Sequence, residues 1–248
     1  MKANELQQVR PGFHDASAGS QAVFRSALSA LSHPGRVIEL PRVSGLPLHG
    51  HAAAAVLLQA LVDSDCAVWL SPSLAATDAA AWLRFHTGCY WAASPATARF
   101  LWVAEADDLP DLAVLDAGTD EYPDQSATCV VEVSALGDPP ADGACEQAPG
   151  MSPEMSPEQS ARQSARQSPE RSPELSPEQR LELQLEGPGI ATRQTLWVQG
   201  LAADFGAQWH ANHQRFPRGV DLFLATPTHL TGLPRTAHAR VVSTPQER

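Results

Sequence analysis

Lysine is nearly absent from this sequence: of its 17 basic residues, one is a lysine, Lys2, and the other 16 are arginines. A chain without an internal lysine offers no Schiff-base nucleophile, and it has no P-loop, because that motif ends its glycine-rich stretch with a lysine. The 28 acidic residues outnumber the basic ones and give a net charge of −11. This balance disfavours a general nucleic-acid binder, which needs a basic surface.

Motifs that mark common catalytic and metal sites are missing as well. The chain has no G-x-S-x-G, no G-x-G-x-x-G, no H-E-x-x-H and no C-x-x-C. Zinc needs three or four converging ligands, and the histidines form only two close pairs, His49 with His51 and His210 with His213. We therefore expect no metal, no cofactor and no catalytic residue. A nucleophilic Cys89 near His86 stays open as an enzymatic alternative.

The sequence favours a cytoplasmic protein that is not inserted in a membrane. Its first residues, MKANELQQVR, contain no apolar stretch of the kind that marks a secretory signal. The longest run without a charged residue covers 43–62, and its proline and histidines indicate a loop and a buried helix rather than a membrane span. The four cysteines show no disulfide-framework spacing, as expected in a reducing compartment.

One segment has a composition unlike the rest. Residues 151–178 are seven tetrads, and proline recurs in five of them, so no regular helix can run through. We predict a disordered insert over 139–179, an N-terminal arm over 1–17, and a single domain built from 18–138 and 180–244. A docking tail or a phosphorylation array is the alternative for the insert. Residues 101–146 hold twelve acids and no base, which indicates a solvated face or a docking surface for a basic partner.

Helical and strand patterns alternate along the remaining chain. Apolar spacing predicts helices at 18–32, 51–62, 78–86, 108–115 and 203–214. Short apolar or alternating runs predict strands at 36–40, 66–70, 99–104, 127–136, 181–186, 195–198, 220–225, 229–233 and 237–242. Alternating strands and helices followed by hairpins are typical of an α/β fold. We therefore predict a three-layer α/β/α domain with a mixed sheet.

Several charged residues stand beside apolar segments. The arginine fork suits a carboxylate or a phosphate, and ligands of α/β proteins usually bind near strand ends. These residues predict one arginine-bordered anion or interface site; for each, a salt bridge such as Arg218 to Asp221, or an ordinary surface charge, is the alternative. The candidates are Arg25, Arg84, His86, Arg218, Asp221, Arg235 and His238.

The order of five stretches resembles the H subunit (PhnH) family of the bacterial carbon–phosphorus lyase system. The resemblance covers about 18–242 and leaves out only the tetrads. The stretches are Phe24-Arg25 through Leu31-Ser32-His33-Pro34-Gly35, Ala67-Val68-Trp69-Leu70-Ser71, Leu83-Arg84-Phe85-His86-Thr87, Gly187-Pro188-Gly189-Ile190, and Phe216-Pro217-Arg218-Gly219-Val220-Asp221-Leu222 with Leu233-Pro234-Arg235-Thr236-Ala237-His238.

The resemblance implies a fold like the large domain of pyridoxal-phosphate-dependent transferases, without the cofactor. It implies a homodimer that joins the G, I and J subunits in a core complex. With an ATP-binding-cassette protein, that system couples an alkylphosphonate to the ribose of ATP and makes α-D-ribose 1-methylphosphonate 5-triphosphate. The chain is then a required subunit that is not catalytic by itself. A stand-alone module that binds ATP or a phosphonate through Arg84, Arg218 and Arg235 at the dimer boundary is the alternative.

Overall fold

The structure, a computed structural model, describes residues 9–137 and 180–242. The predicted insert, 139–179, lies outside the described residues and stays a prediction. The predicted arm, 1–17, is described from residue 9 onward, and all elements named below lie within residues 9–137 and 180–242.

Four of the five predicted helices are present, with bounds within about two residues of those expected. The first begins at a side-chain cap, since the Asp15 carboxylate accepts a hydrogen bond from the Ala18 amide at 2.9 Å. The helix at 78–86 ends at Gly88, whose φ of 75° is the left-handed conformation that stops a helix. The helices are α1 (Ala16–Ser32), α2 (Ala52–Leu61), α3 (Pro72–Ala75), α4 (Asp78–Thr87) and α5 (Phe205–Gln214).

Eleven strands of the described chain form two sheets. The strands are β1 (Ile38–Glu39), β2 (Ala67–Leu70), β3 (Tyr90–Trp91), β4 (Phe100–Val103), β5 (Thr128–Glu132), β6 (Ala135–Gly137), β7 (Arg180–Glu186), β8 (Gln194–Gln199), β9 (Asp221–Ala225), β10 (His229–Leu233) and β11 (His238–Val242). Seven of them build a mixed sheet in the order β1-β10-β9-β5-β4-β2-β3. The neighbouring strands among β3, β2, β4, β5 and β9 are parallel, whereas β10 is antiparallel to both β9 and β1. The other four strands form an antiparallel sheet in the order β11-β7-β8-β6.

Alternation along the central strands divides the core between the two faces of the large sheet. Trp102, Val130 and Phe223 are register neighbours, and they pack in one apolar cluster with the buried faces of α1, α2 and α4. Their strand neighbours Leu101 and Leu222 point the opposite way, into a second cluster that includes α5 and strands β7 and β8. Successive side chains of a strand point to opposite faces, so central strands buried on both sides read as continuous apolar runs.

The predicted α/β class and the mixed sheet are confirmed, whereas the α/β/α layering needs correction. The second face of the large sheet is covered by α5 together with the small antiparallel sheet. The hairpin of β7 and β8 places Leu183 opposite Leu196, and both are buried against that face. A second sheet that is apolar on one side can bury the face of a sheet, just as a layer of helices can.

Two local predictions are wrong. The segment at 108–115 is not an α-helix but contains one 3₁₀ turn, Leu112–Val114, because proline at position 110 disfavours a helix interior and the Asp111 carboxylate caps the turn instead. The segment at 127–136 is not one strand. It breaks after Glu132, where the Ser134 amide bonds to Gln199 of β8 and the chain passes from one sheet to the other.

None of the helices in the described ranges is both long and apolar enough to cross a membrane.

Candidate functional site

The start of β9 carries a partly buried ion pair between two of the predicted site residues. The carboxylate of Asp221 accepts hydrogen bonds from the Arg235 backbone amide at 2.8 Å and from Nε at 3.1 Å, and Nη2 donates to its second oxygen. The side chains of Arg235 and Asp221 are 12% and 19% exposed. The sequence predicts these two residues for one site, and the turn between β10 and β11 brings them together.

The guanidinium of Arg235 has further partners in the loop before β5. Nη1 donates to the Pro123 carbonyl, and Nη2 donates to the Ser126 hydroxyl as well as to Asp221. Four of its five N–H groups therefore have acceptors inside the protein. In this arrangement Arg235 ties the loop to the sheet, and its charge is balanced by Asp221.

Arg218 does not pair with Asp221, the partner suggested by sequence spacing. Its Nε lies 3.1 Å from the carboxylate of Asp120, and the two side chains are 44% and 81% exposed. Exposed pairs of this kind contribute little to stability. Arg218 thus keeps a surface position and takes no part in the Asp221–Arg235 pair.

Asn212, which sequence reasoning missed, holds the approach to β9. Its amide nitrogen donates to the Val220 carbonyl at 3.0 Å and its oxygen accepts from the Val220 amide at 2.9 Å. Asn212 is 2% exposed, and the adjoining Gly219 has a φ of 130°, which favours glycine. Asn212 lies on the buried face of α5 with Phe205 and Trp209, so its helical spacing from these two aromatic residues was the available signal.

The His238 ring contacts the His213 ring at the same end of the fold, with the two ring planes tilted by 48°. The ring centroids are 3.6 Å apart, and His213 Nδ1 donates to the Arg235 carbonyl at 2.9 Å. Partial burial lowers the pKa of His238 below the ordinary histidine value, and the nearby His213 and Arg240 lower it further, while Glu186 acts in the opposite sense. The neutral ring is therefore favoured, and protonation would place positive charge against a second histidine.

Arg84 and His86 belong to another element, the last turn of α4. His86 Nε2 donates to the Arg10 carbonyl at 2.8 Å, and its ring lies 4.7 Å from that of Trp82. Arg84 is exposed. The sulfur of the neighbouring Cys89 is buried, and burial raises its pKa, which disfavours the reactive thiolate. His86 thus anchors the chain before α1, and the geometry does not activate Cys89.

Arg25 is separate from both groups and exposed on α1. It lies beside Phe24 and Leu28, which are 46% and 50% exposed. The seven predicted residues are therefore divided among the β9–β11 end of the sheets, the end of α4, and the surface of α1. Their binding or interface role stays a prediction.

A buried carboxylate at the carboxyl ends of the parallel strands was also missed. Glu132 is 4% exposed, and one of its oxygens accepts from Trp102 Nε1 at 2.7 Å and from the His51 amide at 2.5 Å. The His51 ring bonds to the Ala225 carbonyl at 3.0 Å and lies 3.2 Å from Glu105. This network connects α2 to three neighbouring strands. An acidic residue inside the apolar run Val130–Val133 was the available signal.

Within residues 9–137 and 180–242, no three His, Cys, Asp or Glu side chains are grouped so that they could hold a metal ion.

Fold and site together define an α/β protein with a mixed seven-stranded sheet, in which Asp221 and Arg235 form a partly buried ion pair at the start of β9. The chain matches the family described as "Bacterial phosphonate metabolism protein (PhnH)" over residues 11–240, and it belongs to that family.

Two curated relatives are similar over most of their lengths. The α-D-ribose 1-methylphosphonate 5-triphosphate synthase subunit PhnH of Rhizobium meliloti (strain 1021) is 32% identical over 226 residues, which cover 90% of this chain and 92% of the relative. HtxG of Stutzerimonas stutzeri, named as a candidate C-P lyase subunit protein, is 29% identical over 218 residues, which cover 88% of this chain and 84% of the relative.

Proposed function

We propose that this protein is a non-catalytic subunit of the complex that makes α-D-ribose 1-methylphosphonate 5-triphosphate from ATP and an alkylphosphonate. The observation that carries the proposal is the 32% identity to the synthase subunit of R. meliloti over nearly the whole of both chains. The protein would act as part of a transferase in phosphonate catabolism, in the cytoplasm.

The chemistry of the described side chains supports a non-catalytic role. Cys129 is fully buried between strands, and burial raises its pKa to about 12. Burial also raises the pKa of Cys89. Neither thiol is poised as a nucleophile at neutral pH. Arg235, the least exposed of the arginines proposed for ligand binding, is held by Asp221 and the loop carbonyl. The covalent steps then fall to other subunits.

Apolar side chains on the surface support assembly with other chains. Phe24 and Leu28 of α1 are about half exposed, as are Phe85 of α4 and Tyr90 of β3. Exposed aromatic groups of this kind are typical of protein interfaces. We infer a homodimer and contacts with the G, I and J subunits from the family resemblance, together with a likeness to the large domain of pyridoxal-phosphate-dependent transferases.

Co-expression tests the proposal. The full chain, tagged, is produced with the G, I and J homologues of the same source and purified by affinity and size exclusion. We expect the four proteins to elute together, and we expect synthase activity with ATP and methylphosphonate to require this chain. A chain that elutes alone, or a complex equally active without it, would refute the proposed role. Turnover by the isolated chain would refute its non-catalytic character.

A further inference from the structure

Two of the stretches that carry the family resemblance have no part in the groups described so far. One is the turn after α1, which contains His33-Pro34-Gly35, and the other is the loop between β7 and β8, which contains Gly187-Pro188-Gly189-Ile190. Between them lies an open cavity of about 460 Å³. This volume falls within the roughly 300–1,000 Å³ that small-molecule sites occupy.

Two glycines allow the two walls of the cavity to lie in close contact. Gly189 has a φ of 83°, and a Cβ placed on it would overlap the Ser32 carbonyl oxygen. Gly35 has a φ of 82°, and its Cβ would lie 2.5 Å from the Leu185 side chain. At Gly189 the β7–β8 loop therefore meets the end of α1 backbone to backbone, and at Gly35 the turn after α1 packs directly against the Leu185 side chain. Walls made in this way are set by the fold, so the cavity exists before any ligand arrives.

The lining of this cavity is basic, although the protein as a whole is acidic. His33, Arg36 and Arg193 all contribute to it, and none of its ten lining residues is an aspartate or glutamate. A second surface cavity of about 490 Å³ shows the contrast, because its lining includes Asp63 and two further aspartates against one arginine. In a chain of net charge −11, a concave surface lined by two arginines attracts anions selectively.

Each of the three basic side chains has nitrogen atoms that remain available to bind a ligand. Arg36 is exposed, and its guanidinium has no ion-pair partner among the described residues. Arg193 contacts the rim carboxylate of Glu186 through Nε at 2.7 Å, which leaves the outer edge of its fork, Nη1 and Nη2, for a second acceptor. His33 donates from Nδ1 to the Ser29 carbonyl at 3.1 Å, and this bond orients the ring and leaves Nε2.

We propose that this cavity binds the tetrahedral phosphorus oxyanion of a substrate of the complex, held by Arg36 and Arg193 with His33 beside it. Two planar forks match such an oxyanion in charge and geometry. The half-buried Val37 and Ile190 in the same lining suit a small alkyl group on phosphorus. The anion class follows from the cavity, and the phosphorus assignment rests on the proposed function.

Titration calorimetry of the full chain tests the cavity directly. The probes are methylphosphonate and ATP, with adenosine as the uncharged comparison. We compare Arg36→Gln and Arg193→Gln with Arg42→Gln, which removes the same charge from an exposed arginine outside this cavity. Losing one charged fork is expected to weaken binding roughly tenfold or more, and the control is expected to bind like the unmodified chain.

The probes and the assembly state separate the outcomes. Binding of methylphosphonate assigns the cavity to the alkylphosphonate, and binding of ATP but not adenosine assigns it to the triphosphate. The proposal is overturned if neither probe binds at millimolar concentration, or if Arg42→Gln weakens binding as much as the cavity variants do. Arg36→Gln and Arg193→Gln should still join the G, I and J subunits. Failure of the unmodified chain to join them would count against the subunit role and leave the binding comparison readable.

Discussion

Arg235→Met removes the charge partner of a carboxylate that is only 19% exposed, while it keeps the length and most of the apolar surface of the side chain. Asp221 loses two side-chain hydrogen bonds, and the Pro123 carbonyl and Ser126 hydroxyl lose theirs. Breaking a buried pair from one side costs roughly 3–5 kcal/mol, and the residual exposure of both groups favours the lower end, about 3 kcal/mol. For a domain of this size that corresponds to a fall in Tm of roughly 6–12 °C.

Urea denaturation followed by tryptophan fluorescence measures this loss, and calorimetry gives the Tm. Arg218→Met is the matched control, because its pair with Asp120 is exposed and should contribute less than about 1 kcal/mol. The double variant Arg235→Met, Asp221→Leu should be more stable than Arg235→Met alone, since it leaves no unpaired buried charge. If Arg235→Met unfolds with the same free energy as Arg218→Met, Arg235 does not tie the loop to the sheet.

Three further predictions concern other parts of the fold. Trp102→Phe removes one of the two donors to the buried Glu132 oxygen and leaves only the His51 amide, so it should lower the unfolding free energy by roughly 1–3 kcal/mol in urea; an unchanged midpoint would contradict it. Gly189→Ala should lower the unfolding free energy by at least about 3 kcal/mol, because its Cβ would overlap the Ser32 carbonyl oxygen. Gly88 is also left-handed but is not crowded, so Gly88→Ala should lower the unfolding free energy by about 1 kcal/mol. Equal losses in the two variants would refute the close approach of the loops. The pKa of His238 is below 6.5 in the folded protein, so the unfolded chain binds the proton more readily and stability should fall as the pH drops below about 6.5. His238→Gln should flatten that dependence, and a slope as steep as in the unmodified protein would exclude His238 as its source.

The helices and the central strands were readable because their signals are local. Apolar spacing placed α1, α2, α4 and α5 close to the expected residues. Side-chain caps at Asp15 and Thr77 begin α1 and α4, and the left-handed Gly88 ends α4. The run at 127–136 was misread because its residues favour extended structure throughout. Only the partner strands decide that Thr128–Glu132 joins one sheet and Ala135–Gly137 the other.

The candidate residues show a similar division. Arg235 and Asp221 could be placed in one site from the sequence, since each stands at a strand boundary next to an apolar run. Asp221 pairs with Arg235 and not with Arg218, although Arg235 lies 14 residues away along the chain. The turn between β10 and β11 brings Arg235 to it. The basic cavity was missed although both of its loops were singled out, because Arg36 and Arg193 are far apart in sequence.

The sequence by itself determined the α/β class, most of the helices, and membership of the family, since these depend on local periodicity and on the order of short stretches. The same chemistry of charge and composition argued against a lysine nucleophile and a nucleic-acid partner. Tertiary structure alone decided which charges cancel one another, which sheet covers the second face, and which arginines remain for an anion. Those outcomes depend on contacts between segments that are distant in the sequence, and a local sequence pattern does not show which distant segments will meet.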